Sequence, residues 1–168
     1  MEEILGRIAS AQTLPLLWRR MARYFAQHGF AGVSYYWIRH GTNLPATMPL
    51  QYGFSPQEVE RYLSFDFQRL DIVPRAALAA GVPIRWSDVW RSTELTGEER
   101  AFLAAMRETE LADGFSLPCY GPNGRNAVVA LGRMKPDVDL SPSHLSLLHF
   151  AAQAAHLRIC SMFTEEAT

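Results

Sequence analysis

Two hydrophobic periods follow each other in the N-terminal part of the chain. Apolar residues first recur at three- and four-residue steps, the spacing of one buried helix face, at Leu14, Leu17, Trp18, Met21 and Phe25. This spacing predicts helix from the start of the chain to Gly29, where a glycine suits a helix end. Residues 32–38 are rich in β-branched and aromatic side chains and predict a strand, and a loop rich in glycine and proline then leads to a short strand near residues 50–52.

Helix-start signals mark the middle of the chain. Ser55, Pro56 and Glu58 form a capping box with proline in the first turn, and they predict a helix that continues through Leu63. A second helix is expected to begin at Asp71, whose carboxylate can cap it, and to run to Gly81.

The next segment predicts one strand and one helix. Proline at the start of Pro83–Trp86 is typical of a brief edge strand, where that position needs no ladder hydrogen bond. Thr96 and Glu99 are spaced as another capping box, which opens a helix that buries Phe102, Leu103 and Met106.

The C-terminal part predicts a hairpin and a long helix. Strands over 115–120 and 126–131 flank the turn sequence Pro122-Asn123-Gly124, and a helix follows from Ser141 to about Phe163. That helix carries two apolar stripes, which predicts burial on more than one side and a contact with a second subunit. One stripe is Leu145, Leu148, Ala152, Ala155, Ile159 and Met162, and the other is Leu147, Ala151, Ala154 and Leu157.

The order of these elements predicts an α+β fold. We expect an α/β/α sandwich in which a central antiparallel sheet has helices on both faces. The chain of 168 residues shows no internal repeat or linker, so we expect a single domain over residues 1–168.

Composition narrows the class of protein. With 48% hydrophobic and 20% charged residues, the chain has the balance of a folded globular domain. The net charge of −1 offers no phosphate-binding surface, so independent binding to nucleic acid is not expected. The acidic start and short apolar runs predict no secretory signal and no membrane span, and therefore a cytoplasmic location. Cys119 and Cys160 match no metal or redox spacing and are expected to be buried, reduced thiols.

No catalytic or metal-binding motif is found. The five histidines lack metal-ligand spacing, and we expect them at the surface or at an interface. Residues 121–124 lack the lysine and the helix of a phosphate loop, and no nucleophile elbow occurs. We therefore expect no enzyme activity, no metal and no cofactor.

Large aromatic residues with polar tips surround a single acid in the central part of the chain. Such a set suits a mostly apolar pocket with a few hydrogen-bonding groups, although each residue alone is more often part of the core. The set comprises Tyr62, Asp71, Trp86 and Trp90 among Phe54, Phe65 and Phe67.

The spacing of three of these residues is informative. Tyr62, Asp71 and Trp86 follow the frame Tyr-x8-Asp-x14-Trp, which resembles the autoinducer-binding domain of LuxR-type quorum-sensing transcription regulators. The likeness extends from about residue 10 to 163. The flanking segments that share it are Gly29-Phe30, Pro83–Ser87, Glu98–Phe102 and Gly114–Pro118.

The resemblance implies a small-molecule signal, an acyl-homoserine lactone or a related compound, held between sheet and helices. Asp71 would accept the amide N–H of the ligand, Tyr62 would donate to its acyl carbonyl, and Trp86 would pack along the lactone end. Gly114 would keep the backbone corner of the pocket tight. The ligand-binding residues expected from this likeness are Tyr62, Asp71, Trp86, Phe54, Glu58, Tyr36, Val73, Trp90, Phe102 and Ser116.

The sequence departs from the family pattern at three positions. Glu58 stands where the family has a tryptophan that donates to the lactone carbonyl, Ile72 stands where it has a proline, and Ala130 replaces a hydroxyl of the last strand. An ionised carboxylate cannot donate, so simple lactones are predicted to bind weakly or not at all.

The resemblance also predicts partners. We expect a homodimer, and DNA contact only through a helix-turn-helix domain, which does not follow Phe163 in this sequence. Two alternatives stay open: a partner module that dimerises with a regulator without binding ligand, and an unrecognised enzyme.

Overall fold

The computed structural model of the protein describes residues 2–38, 50–52, 57, 60, 72–92, 94–108 and 113–163. The helix predicted from Ser55 to Leu63 therefore lies outside the described residues, apart from single helical positions at Gln57 and Glu60.

Two helices form the N-terminal region, where one was predicted. Helix α1 spans Glu2–Ala9 and helix α2 spans Leu14–Gln27. Thr13 separates them, because its hydroxyl accepts a hydrogen bond from the Leu16 N–H over 3.3 Å and thereby starts a new helix. Pro15 in the first turn fits this break, since its missing N–H would have had no helical partner.

The described residues include five antiparallel strands, which form one sheet in the order β2-β1-β5-β4-β3. The predicted strands are confirmed. They are β1 (Phe30–Ile38), β2 (Leu50–Tyr52), β3 (Ile84–Arg85), β4 (Phe115–Cys119) and β5 (Asn126–Met134).

The predicted hairpin between β4 and β5 is present. A single 3-10 turn, Pro122–Gly124, joins the strands. Asn123 and Gly124 have φ values of 58° and 71°, a left-handed conformation that asparagine and glycine adopt more readily than other residues.

Four further helices complete the described fold: α3 (Val73–Ala80), α4 (Trp86–Ser92), α5 (Gly97–Arg107) and α6 (Pro142–Phe163). The capping box of α5 is confirmed, with Thr96 N–H donating to Glu99 over 2.9 Å and Glu99 N–H donating to the Thr96 hydroxyl over 3.2 Å. Helix α3 begins two residues after the predicted start, and its N-cap is Ile72, which makes no side-chain cap.

Helices cover both faces of the sheet, as predicted for an α/β/α sandwich. Helices α1, α2 and α6 pack on one face. The strand residues buried there are Phe30, Val33, Tyr35 and Trp37 of β1, Phe115, Leu117 and Cys119 of β4, and Ala127, Val129 and Leu131 of β5. Helices α3, α4 and α5 contribute the apolar layer on the other face, against Val128 and Ala130.

Helix α6 buries one of its two predicted stripes. Leu148, Ala152, Ala155 and Ile159 are fully buried, but Ala151, assigned to the second stripe, is buried as well. The outward face instead carries Leu147, Phe150 and Leu157, which are 38%, 61% and 48% exposed. None of the helices in the described ranges combines the length and apolarity that crossing a bilayer requires.

Candidate ligand-binding site

An aromatic and aliphatic layer lies between the sheet and the helices α3, α4 and α5. Its buried members are each at most 9% exposed: Val73, Trp86, Val89, Trp90, Leu103, Val128 and Ala130. Trp86 and Trp90 stand one helical turn apart on α4, so both rings face the same layer. This arrangement is a largely apolar environment with indole N–H groups as its polar tips.

Trp86 is held at both its backbone and its ring. It is the first residue of α4, and its N–H donates to the Gly114 carbonyl over 3.0 Å. Its indole Nε1–H donates to the Ser116 hydroxyl over 2.9 Å, and both side chains are buried. The ring therefore has a fixed orientation against strand β4.

Gly114 makes this close approach possible. A Cβ atom at this position would lie 2.2 Å from the Leu131 carbonyl oxygen and 2.9 Å from Cη2 of Trp86. Both distances are shorter than real contacts, so only glycine fits without displacing the strand or the ring. The tight backbone corner expected at Gly114 is thus present.

Asp113 anchors the start of α4, a role that the sequence did not reveal. Its carboxylate accepts hydrogen bonds from Arg85 Nε over 2.9 Å, from the Ser87 N–H and hydroxyl over 3.3 Å each, and from the Gly114 N–H over 2.9 Å. The Asp113-Gly114 pair predicts only a turn, because the partners on β3 and α4 lie 26–28 residues earlier in the chain.

A second tie fixes the end of α3. The Tyr120 hydroxyl donates to the Leu78 carbonyl over 2.6 Å, and Gly81 ends the helix in a left-handed conformation with φ of 73°. Tyr120 is also held from α6, since its N–H donates to Gln153 over 2.9 Å. Tyr120, the residue after β4, therefore connects the helix layer to the helix on the opposite face.

The structure brings together part of the predicted site. Val73, Trp86 and Trp90 belong to the apolar layer, Ser116 bonds to Trp86, and Phe102 on α5 is 2% exposed. Tyr36 pairs with Val128 in the β1–β5 ladder, but its side chain is outside the described residues. Four predicted residues lie outside the described ranges altogether: Phe54, Glu58, Tyr62 and Asp71.

The opposite face of the sheet carries a buried polar chain. Trp37 Nε1 donates to the Tyr35 hydroxyl, which lies 2.7 Å from His156 Nδ1, and His156 Nε2 lies 2.6 Å from the Arg125 carbonyl oxygen. The prediction of surface histidines is therefore wrong for His156, which is 0% exposed and lies in the core. No local sequence pattern could have predicted this burial, because the hydrogen-bond partners of His156 lie on other elements.

Burial keeps the hydrogen-bonded residues His156 and Tyr35 uncharged. Desolvation lowers the pKa of His156, although the hydrogen bond to the Arg125 carbonyl opposes this shift. Desolvation also raises the pKa of Tyr35 well above its ordinary value, so the phenol keeps its proton. Cys119 and Cys160 are buried thiols nearby and form no disulfide, as predicted, and burial raises the pKa of each thiol.

One cation of this region is incompletely paired. Arg125 is 8% exposed, and within the described part of the chain its Nε and Nη1 atoms have no hydrogen-bond acceptor. Buried polar groups are normally paired, so this side chain is an energetic cost to the fold.

The fold is an α+β sandwich, because an antiparallel sheet has helices on both faces. An aromatic layer lies between the sheet and helices α3, α4 and α5. The sequence matches the family described as "Autoinducer binding domain" over residues 15–159. The chain belongs to this family of signal-binding domains, which is found in LuxR-type regulators.

Two sequence relatives are transcriptional regulators. The chain is 27% identical over 104 residues to the putative HTH-type transcriptional regulator y4qH of Sinorhizobium fredii. This alignment covers 61% of the chain and 31% of y4qH. It is also 25% identical over 112 residues to RpaR of Rhodopseudomonas palustris, an HTH-type quorum sensing-dependent transcriptional regulator. This alignment covers 67% of the chain and 45% of RpaR. The matched part is less than half the length of either relative.

Solved structures share the fold. CepR2 of Burkholderia cenocepacia, an N-acylhomoserine lactone dependent LuxR family transcription factor, has a TM-score of 0.71 at 19% identity, with 92% of this chain and 90% of that chain covered. SdiA of Escherichia coli has a TM-score of 0.73 at 17% identity, over 99% of this chain and 69% of that one. SdiA in complex with octanoyl-rac-glycerol gives 0.74 at 17% identity, over 99% and 67%.

Proposed function

We propose that this domain is the cytoplasmic sensor of a LuxR-type transcription regulator. In this proposal it binds a small amphiphilic signal between the sheet and the helices α3, α4 and α5. The observation that carries the proposal is the buried layer around Trp86 and Trp90, in a chain that belongs to the autoinducer-binding family. An apolar layer with few polar groups suits a ligand with an acyl chain and a small polar head.

Asp71 and Tyr62 would read the polar part of the ligand. A carboxylate accepts from an N–H or O–H, and a phenol donates to a carbonyl, so the two together can hold both sides of one amide or hydroxy ester. The frame that these residues form with Trp86 supports this assignment. Trp86 itself lies in the apolar layer and would contact the ligand through its ring.

The head group is proposed to differ from a simple lactone. Glu58 replaces the family's indole donor, and a carboxylate there favours a head group that carries hydroxyl or amine donors. A solved structure has the neighbour SdiA in complex with octanoyl-rac-glycerol, whose head group carries hydroxyls and no lactone ring. An acyl chain with a hydroxylated head group is therefore the ligand class that we propose.

Thermal denaturation with and without ligand tests the proposal. Octanoyl-rac-glycerol and N-octanoyl-homoserine lactone are added to the parent protein, to Asp71→Asn and to Asp137→Asn, in which an exposed carboxylate is changed as a control. We expect the glycerol ester to stabilise the parent and the control, and Asp71→Asn to lose that stabilisation while its ligand-free melting temperature stays unchanged. Equal shifts in all three proteins would reject the role of Asp71.

We further propose that the outward face of α6 binds a second copy of the chain. Leu147, Phe150 and Leu157 follow three- and seven-residue steps and are exposed, which is the pattern of a helix–helix seam. Phe150→Glu should yield monomers in sedimentation, whereas Ala104→Glu at an exposed position of α5 should not. A parent protein that is monomeric at all concentrations would refute this part.

The same experiments separate the alternative function. A dimer that none of the amphiphiles stabilises would favour a partner module that assembles with a regulator without binding ligand.

A further inference from the structure

The Ser116 hydroxyl lies beside the apolar layer of the candidate site and is bonded there only as an acceptor, among the described residues. The indole of Trp86 is a donor only, so in the 2.9 Å contact the Ser116 oxygen must accept. The serine's own O–H is then free to donate. Among the described residues, the Ser116 hydroxyl donates no hydrogen bond, and Ser116 is 1% exposed.

The ladder neighbours of Ser116 offer no polar side chain that could accept this proton. Its neighbours across the two adjoining strands are Ile84 on β3 and Ala130 on β5, both with apolar side chains. Ala130 and Val128 belong to the apolar layer with Trp86, which places Ser116 at the edge of that layer. A buried donor without an acceptor is unfavourable, and a ligand oxygen at this point would remove the penalty.

We infer that Ser116 is a specificity-determining residue that donates a hydrogen bond to an acceptor oxygen of the bound signal. This inference rests on the proposed function. Trp86 is a positioning residue in this arrangement, because its N–H occupies one lone pair of Ser116 and so directs the hydroxyl proton away from the ring. The ligand class is narrowed to amphiphiles with a carbonyl oxygen at the junction of acyl chain and head group.

The β4–β5 register places the Ser116 hydroxyl next to the β5 position from which a hydroxyl could also reach the ligand. Ser116 and Ala130 are directly opposite in the β4–β5 ladder, so their Cβ atoms are neighbours on one face of the sheet. A hydroxyl on β5 could serve the same ligand oxygen, but position 130 is alanine. The two positions are therefore expected to be interchangeable as sources of the proton.

Calorimetry with two matched amphiphiles tests the inference. Octanoyl-rac-glycerol has an ester carbonyl, and 1-O-octyl-rac-glycerol has an ether in its place. Ser116→Ala should weaken binding of the ester about tenfold and change binding of the ether less than about twofold. Ser116→Thr, which keeps the hydroxyl, should bind the ester like the parent, and the double variant Ser116→Ala with Ala130→Ser should recover most of the lost affinity.

The outcomes separate the inference from the function on which it rests. If the parent binds the ester and Ser116→Ala binds it equally well, the role of Ser116 is refuted while the sensor function stands. If Ser116→Ala weakens both compounds alike, the serine acts only through packing and the inference is also refuted. If the parent binds neither the glycerol lipids nor N-octanoyl-homoserine lactone, the proposed function fails and the inference fails with it.

Discussion

The Nε2 atom of His156 lies 2.6 Å from the main-chain oxygen of Arg125 and donates its proton to it. Nδ1 therefore carries a lone pair and accepts the hydroxyl proton of Tyr35 over 2.7 Å. A neutral ring satisfies both contacts. A protonated ring would direct an N–H at the Tyr35 hydroxyl and leave the phenol proton without its acceptor. These two hydrogen bonds therefore stabilise the neutral form of His156.

The free energy of unfolding should therefore depend on pH through His156. Well above its ordinary pKa of 6.5 the ring is neutral in both the folded and the unfolded state. As the pH falls below 6.5, the unfolded chain gains a proton that the folded protein, with its lowered pKa, does not bind. Stability is then lost with a limiting slope of about 1.4 kcal/mol per pH unit. Urea denaturation of the parent at several pH values measures this slope.

His156→Gln supplies the comparison, because it removes the titrating group and leaves a side chain that can still donate. His28, whose pKa is also lowered, is present in both proteins, so the difference between the two slopes reports on position 156. Parallel curves below pH 6.5 would show that His156 titrates alike in the folded and unfolded chain.

Arg125→Met should raise the free energy of unfolding by about 1–2 kcal/mol, because it replaces two buried donors that have no acceptor among the described residues with an apolar chain of similar length. Chemical denaturation at pH 7 checks this. Arg23→Met, at an exposed position of α2, controls for loss of positive charge and should change little. Destabilisation by Arg125→Met would mean that the guanidinium has a favourable partner.

Gly114→Ala should destabilise the domain by about 2–3 kcal/mol, since the added methyl group meets the Leu131 carbonyl and the Trp86 ring. Gly97→Ala is the matched control. A Cβ there meets nothing within 4 Å, and the change should stay within about 1 kcal/mol. Equal melting temperatures for the two variants would contradict the close packing at position 114.

Glu58→Trp should restore binding of simple acyl-homoserine lactones if the remaining site is intact. A missing donor for the lactone carbonyl costs about 1–3 kcal/mol, or one to two orders of magnitude in affinity. Calorimetry of the parent and variant with a panel of lactones measures the gain, and Glu60→Trp, two residues further on, is the control. Nanomolar binding by the unmodified protein would show that another group supplies the donor.

Local signals in the sequence predicted most of the fold. The capping pair Thr96 and Glu99 and the turn at Asn123-Gly124 specify their conformations within four residues, and both are present as predicted. Thr13 is also a local signal, but the apolar period runs across it and suggested one continuous helix.

Contacts between distant residues could not be predicted in this way. His156 is buried because Tyr35 and Arg125 meet it from β1 and from the β4–β5 hairpin, and Asp113 anchors α4 through residues far back in the chain. For the site, the Tyr-Asp-Trp frame indicated the family, and the structure places Trp86 in the apolar layer. The roles of Tyr62, Asp71 and Glu58 stay predictions.

The sheet ends on one side with β3, a strand of two residues that passes directly into helix α4. A long open edge offers its free backbone N–H and C=O groups to any other extended chain, and fibrous aggregation begins at such edges. Here the backbone turns into a helix before a second chain could align with more than a residue or two. The β3 edge therefore offers too little backbone for edge-to-edge polymerisation to start there.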